Sequence, residues 1–293
     1  MSGRRGVLRA RYGRCLAALM SALAVALLVA PAAFANFITP KAGGSPNANK
    51  IDSLYKIILY IAAVVFVVVV GTLLYSTFRF RAKRGAVAAQ IHGNTTLEVS
   101  WTMAAALILV AITVVTFVKL SGITNPPNSN SGIVLSASTT QPTPPNGKQV
   151  TICVQGRQYI WRYTYGAGCL NNYFTEKLPY SYTEMEAPAG TTVVLDIQAT
   201  DVIHSWWVPS LGGKVDAVPG YTTYTWFKAL HPGLFHGQCA QLCGRGHAAM
   251  LAQVNVVPPA QYQAWLTQQQ RLINQANDQV GSLRQQLTQA GQL

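Results

Sequence analysis

Four residues in the C-terminal half follow one another as Cys-x3-Cys-x3-His-x2-Met: Cys239, Cys243, His247 and Met250. A further imidazole, His204, stands 35 residues upstream in Asp201-Val202-Ile203-His204-Ser205-Trp206-Trp207. Two thiolates, two imidazoles and one thioether form a ligand set suited to copper. Zinc accepts Cys and His but has little use for Met. A mononuclear blue-copper site uses one Cys, two His and a weak axial Met. The second Cys here lets two thiolates bridge two ions, with one His terminal on each, Met250 completing one ion and a backbone carbonyl the other. A pair that shares charge through sulfur rearranges little on gaining or losing one electron. The competing reading of Cys239 and Cys243 is a disulfide of an exported protein, and the presence of His204, His247 and Met250 in register weighs against it. His231 and His236 fit no ligand pattern and read as packing or surface residues. Cys153 and Cys169 lie 16 residues apart; a disulfide and two unpaired thiols both remain open for them.

Such ligands need a rigid support, and the sequence around them is rich in short β runs. Val150–Val154, Tyr159–Tyr163, Thr191–Ile197, Tyr221–Phe227 and a closing strand at Met250–Val257 are expected, with turns at Pro188-Ala189-Gly190 and Val218-Pro219-Gly220. This pattern predicts a β-sandwich or barrel over residues 149–258 without choosing its topology. After it, residues 259–293 form a Gln-rich tail. Leu266, Ile273, Val280 and Leu287 recur every seven residues, with Ala276 and Leu283 in support. That spacing predicts a helix with one apolar stripe, lying against its own domain or a neighbouring subunit.

The first 120 residues are of another kind. Five arginines between Arg4 and Arg14, an apolar stretch from Leu16 to Ala30 and Ala33-Phe34-Ala35 read as a signal peptide over 1–35. An uncleaved third membrane helix is the alternative, for which the stretch is short. Ile57–Tyr75 and Trp101–Val118 are uncharged runs near the roughly 20 residues a helix needs to cross hydrocarbon. They define a transmembrane hairpin over 36–120, with helices at about 54–76 and 99–120. Arg79, Arg81, Lys83 and Arg84 between them place the connecting loop in the cytoplasm, so both hairpin ends and the β domain face outward. A linker rich in Pro, Ser, Thr, Asn and Gly is expected over 121–148.

The net charge of +13 does not signal nucleic acid. Of the 22 basic residues, 13 lie in residues 1–120 beside only two acids, Asp52 and Glu98, and the outer region shows no basic stripe with interleaved aromatics.

At several places together the chain resembles cytochrome c oxidase subunit II. The resemblance rests on His204-Ser205-Trp206 followed by Val208-Pro209-Ser210-Leu211-Gly212, on Lys214-x-Asp216-Ala217-x-Pro219-Gly220, and on Gly237 to Met250. His92-Gly93-Asn94-Thr95-Thr96-Leu97-Glu98-x-x-Trp101-Thr102 resembles the family's approach to its second helix. The family implies a cupredoxin-like outer domain and a dinuclear copper centre called CuA. Cys239 and Cys243 would bridge, His204 and His247 would be terminal, Met250 would add its thioether and Gln241 its backbone carbonyl. It implies single electrons taken from cytochrome c or another small donor protein and passed to haem a in subunit I. Oxygen reduction and proton pumping would occur there, not on this chain. Subunit III and membrane lipid are the other implied neighbours. A membrane-tethered copper electron carrier outside any oxidase is the alternative on the same ligands.

Glu98 matches a family residue at the mouth of a proton path; its other reading is a solvated acid at a helix start. Three departures from the family stand out. Gln241 replaces a Glu whose side chain also binds magnesium at the subunit I boundary, which puts that ion in doubt. Tyr159 replaces the Trp through which the family takes up electrons, and Trp161 follows two residues on; in a strand both would point to one face. The outer domain is also poor in carboxylates, with Glu176, Glu184, Glu186, Asp196, Asp201 and Asp216. A strongly basic cytochrome c steered by charge is therefore not the expected donor.

Overall fold

The computed structural model describes residues 43–81, 87, 90, 92–126, 149–166, 169 and 177–292. The expected signal peptide, Lys83 and Arg84 of the basic loop, and residues 127–148 of the linker lie outside the described residues. Two long helices come first, α1 (Pro46–Arg79) and α2 (Thr95–Thr124). Ser45 stands at the N-cap of α1 with Pro46 just inside, where its missing N–H costs nothing. In α2 the side chain of Asn94 accepts a hydrogen bond from the Leu97 N–H at 3.1 Å. Along Ile57–Tyr75 and Trp101–Val118 both helices are apolar on all sides, and large side chains such as Phe66, Leu73, Leu107 and Phe117 are exposed. A helix of that kind needs a nonaqueous surrounding.

Both helices run past their apolar stretches. The 34 residues of α1 span about 51 Å, well beyond the roughly 30 Å of hydrocarbon. The excess turns dock on the β domain. Asn47 and Ala48 are buried, Asn47 Nδ2 donates to the Trp226 carbonyl at 2.7 Å, and the Lys228 N–H donates to Ser45 Oγ at 3.0 Å. Trp226 also donates its indole N–H to the Ile123 carbonyl at 3.0 Å in the last turn of α2. These contacts explain why α1 begins at Pro46 and not near 54, and why α2 continues into the stretch expected to be linker.

The rest is a two-sheet sandwich. One sheet orders its strands β3-β2-β1-β5-β8: Tyr180–Tyr182, Ile160–Tyr165, Gln149–Arg157, Thr192–Ala199 and Thr223–Phe227. The other orders them β4-β10-β9-β6-β7: Glu184–Pro188, Leu251–Val257, Gly233–Cys239, His204–Trp207 and Val215–Ala217. Pairs β1–β5 and β4–β10 are parallel and the others antiparallel. Ile152, Val154, Tyr163, Val193, Leu195, Ile197, Met185, Val254 and Val256 meet between the sheets, each fully or almost fully buried. Each aliphatic side chain so placed contributes about 1.5–3 kcal/mol. Cys153 and Cys169 form a disulfide with Cα atoms 4.9 Å apart, which decides the question left open above.

The tail is helix α3 (Pro259–Gln289). Tyr262 and Ile273 are buried, and Trp265 and Leu266 pack on the core, with the Trp265 ring 4.8 Å from that of Tyr165. Val280 and Leu283, farther along the stripe, are exposed. The helix thus lies on its own domain over its first half only.

Candidate metal centre

The ligand loop leaves β9 at Cys239 and rejoins the sheet at β10 after Met250. Its neck is closed by a hydrogen bond from the Cys239 N–H to the Met250 carbonyl at 2.9 Å, so two candidate ligands are joined at their backbones. Gly244 turns the loop with φ +131°, a conformation that side chains rarely adopt. A short 3₁₀ turn, His247–Ala249, then aims His247 back at the cysteines. His204 comes from the start of β6. Strand pairing sets Trp206 of β6 opposite Cys239 of β9, and the Ala240 N–H donates to the Ser205 carbonyl at 2.9 Å. Gly156 of β1 makes room for the imidazole: a Cβ there would sit 3.0 Å from His204 Cδ2 and from Trp161 Cζ3.

The donors converge. Cys239 Sγ is 3.9 Å from Cys243 Sγ, 3.9 Å from His204 Nδ1 and 3.2 Å from the Gln241 carbonyl oxygen. Cys243 Sγ is 3.7 Å from His247 Nδ1 and 3.9 Å from Met250 Sδ. The two cysteines are free thiols, so the disulfide alternative fails for this pair. His204, Cys239, Cys243 and Met250 are buried, whereas His247 is partly open to solvent. Soft sulfur and imidazole donors without a carboxylate among them fit copper. Half the sulfur–sulfur distance is less than a metal–thiolate bond of about 2.3 Å, the zinc value. Both sulfurs could therefore hold one shared metal ion. Burial, with the Cys239 thiol alongside, pushes the Cys243 thiol up to about 11, so metal uptake must release protons.

Asp201 was not singled out as a site residue in the sequence, yet it organises this one. Its Oδ1 faces His204 Nε2 at 2.9 Å and accepts the Val202 N–H at 2.7 Å, and its Oδ2 accepts the Gln158 N–H at 2.8 Å. Burial opposes its charge, but these hydrogen bonds outweigh that and hold the carboxyl below the usual range. An ionised acceptor on Nε2 keeps the proton there and leaves Nδ1, the atom facing Cys239, free to coordinate. The visible signal was an acid three residues before a candidate ligand histidine. Gln158 was also missed. Its side chain donates to the Cys243 carbonyl at 2.6 Å.

The two aromatic candidates part company. Tyr159 lies in the turn between β1 and β2, outside both strands, and is 39% exposed, whereas Trp161 is completely buried in β2. The expectation that both share one strand face is corrected, because a tight hairpin turn falls on residues 158–159. Both still touch the centre. The Trp161 ring lies 5.8 Å from that of His204. Tyr159 covers the loop, within 2.5 Å of where a Cβ on Gly244 or Gly246 would stand. Glu98 sits far off in sequence, exposed in the first turn of α2. His231 and His236 are exposed and outside the cluster. Gln241 has an exposed side chain and only its carbonyl faces Cys239.

Comparison with known proteins agrees at both ends of the chain. Residues 150–257 match the family described as cytochrome C oxidase subunit II, periplasmic domain, and residues 34–118 match its transmembrane domain. Cytochrome c oxidase subunit 2 of Cereibacter sphaeroides is 34% identical over 253 residues, covering 76% of this chain and 77% of that protein. The protein of the same name from Alkalihalophilus pseudofirmus is 34% identical over 224 residues, covering 75% of this chain but only 59% of the relative. The solved periplasmic domain of subunit II from Bradyrhizobium japonicum is 29% identical, with TM-score 0.38 over 42% of this chain and 95% of that one. A paired-thiol cluster on a β-sandwich, two apolar helices before it, and matches to both parts lead to one family: the chain belongs to cytochrome c oxidase subunit II.

Proposed function

We propose that this chain is the electron-accepting subunit of a respiratory haem–copper oxidase, anchored by its hairpin in a bacterial cell membrane with the β domain outside. The observation that supports this most is two unbonded thiols 3.9 Å apart, each with its own imidazole 3.7–3.9 Å away. Cys239 and Cys243 would bridge two copper ions, with His204 and His247 terminal, Met250 giving a thioether and Gln241 a carbonyl. Held in that way, a copper pair supplies storage of one electron at a time with little ligand movement. The residues around it hold the ligands still, since the loop neck, Asp201 and Gln158 fix backbone and imidazole before metal arrives.

Tyr159 offers the exposed aromatic edge at which a donor, cytochrome c or another small electron-carrying protein, would hand over its electron. Trp161, buried on His204, would shape the dielectric around that ligand. Electrons would leave toward haem a in subunit I, where oxygen is reduced to water with proton pumping; subunit III and lipid would complete the surroundings of the hairpin. Glu98 at the opposite end of α2 is assigned to proton uptake. Gln241 brings no carboxylate, so this chain offers a magnesium ion nothing but neutral oxygen there. Residues 1–35 are assigned to export, with cleavage after Ala35.

Metal analysis with paramagnetic resonance of the purified protein tests the reading. Two coppers per chain sharing one unpaired electron are expected, together with co-purification of a haem-bearing subunit. Met250→Leu should keep both coppers and shift the reduction potential. One copper or none in correctly matured protein would overturn the proposal.

A further inference from the structure

The face around Tyr159 carries a charge pattern of its own. Arg157 lies two residues before Tyr159 at the end of β1, and Arg245 stands between the two glycines on which the Tyr159 ring lies. Both arginines are exposed, and no ion pair holds either of them among the described residues. Asp201, the acid bonded to this turn and to His204, has its two oxygens already occupied by the Gln158 N–H, the Val202 N–H and His204. Leu242, between two candidate ligands, is 77% exposed, and Val202 and Ile203, next to His204, are exposed as well. An apolar centre with an arginine rim thus overlies the ligand loop. Arginine presents a planar fork that grips carboxylates in pairs, which suits a rim that must orient a partner.

We infer that the electron donor of this chain is a small single-electron carrier protein with an acidic rim. Its carboxylates meet Arg157 and Arg245, and its apolar electron-exit patch covers Leu242, Val202, Ile203 and Tyr159. This rests on the functional reading above and names the partner class of that site. One electron passes from the reduced donor to the oxidised centre; no atom or proton need move with it. A lysine-rich donor would meet like charge on this face and be slowed, because long-range charge acts chiefly on encounter.

Two small reagents probe the face directly. The full-length chain, loaded with copper and reduced, is mixed with hexacyanoferrate(III) or with tris(phenanthroline)cobalt(III), each of which removes one electron. The rate with the anionic reagent should fall roughly tenfold as salt rises from about 0.01 to 0.2 M, while that with the cation should stay level or rise. Arg157→Gln with Arg245→Gln should slow the anionic reagent severalfold at low salt and leave the copper content and optical spectrum unchanged. A second measurement needs no copper: binding of an acidic and of a lysine-rich cytochrome c to the metal-free full chain in nanodiscs. The acidic protein should bind more tightly, and the double substitution should remove most of that preference. Tighter binding of the lysine-rich protein, or an anionic rate indifferent to salt in the loaded chain, overturns the inference and leaves the functional reading intact. A chain that takes up no copper pair overturns the functional reading instead.

Discussion

Replacing Asp201 by Asn tests whether the carboxylate positions the centre or merely caps a turn. Its two oxygens receive three contacts, 2.7–2.9 Å long. An amide keeps one oxygen and turns the other position into a donor. If the oxygen keeps His204 and Val202, the new NH₂ faces the Gln158 N–H, and two donors confront each other. That leaves the turn carrying Tyr159 short of an acceptor, at a cost of about 1–3 kcal/mol. If the oxygen keeps Gln158, the NH₂ faces His204 Nε2. The imidazole is then driven to carry its proton on Nδ1, the atom that must coordinate. Loss of such a supporting carboxylate typically weakens metal binding about 10–100-fold. The assay is competition for copper between the protein and a graded chelator, with thermal unfolding of the metal-free protein measured in parallel. Either the apparent copper affinity falls by that factor or the metal-free melt drops by several degrees. Both measurements unchanged would refute the reasoning that this carboxylate organises the site.

Asp196, buried in β5, has its carboxyl pushed up to about 6 by burial, although the Cys169 N–H partly offsets this. The folded state therefore binds a proton more tightly than the unfolded chain, and stability declines as pH rises from about 4 to 6, by roughly 3 kcal/mol at most. Asp196→Asn should melt higher than the parent at pH 7.5, with the gap closing below about pH 4; equal melts at pH 7.5 would contradict it. The Cys153–Cys169 disulfide closes a separation of 16 residues, and Cys153→Ala with Cys169→Ala should lower unfolding stability by about 3 kcal/mol in denaturant titration. A loss below about 1 kcal/mol would show that loop constraint is not its contribution. Gly246→Ala would put a Cβ 2.5 Å from Tyr159 Cγ and Cδ2 and displace the ring. Electron uptake should slow at unchanged copper content, because the aromatic contact at which the electron would enter is displaced; an unaltered rate would remove Tyr159 from the path.

Much of the centre could be read from the chain alone because its ligands are close in sequence. Cys239, Cys243, His247 and Met250 occupy one loop, and residue type and spacing already specify soft-metal chemistry. The apolar runs of α1 and α2 were equally plain, since the solvent around such a helix is dictated by composition over about 20 residues. The helix ends were not. The polar turns at Pro46–Ser53 are helical and partly buried because Trp226, some 180 positions away, accepts a hydrogen bond from Asn47. No local propensity records such a contact.

What the sequence determined by itself is the inventory: which atoms can bind metal, which segments avoid water and which run as strands. The tertiary structure alone decided how Asp201 holds His204, that Tyr159 turns outward while Trp161 turns in, and that Cys153 meets Cys169. The bonds from Gln158 to Asp201 and to Cys243 and the Cys153–Cys169 disulfide join positions 43, 85 and 16 apart. Side-chain periodicity of two names the faces of a strand but not its neighbours or its turns. Where a hairpin turn falls is set by pairing across the sheet, and one shift at Gln158 and Tyr159 separates an exposed ring from a buried one.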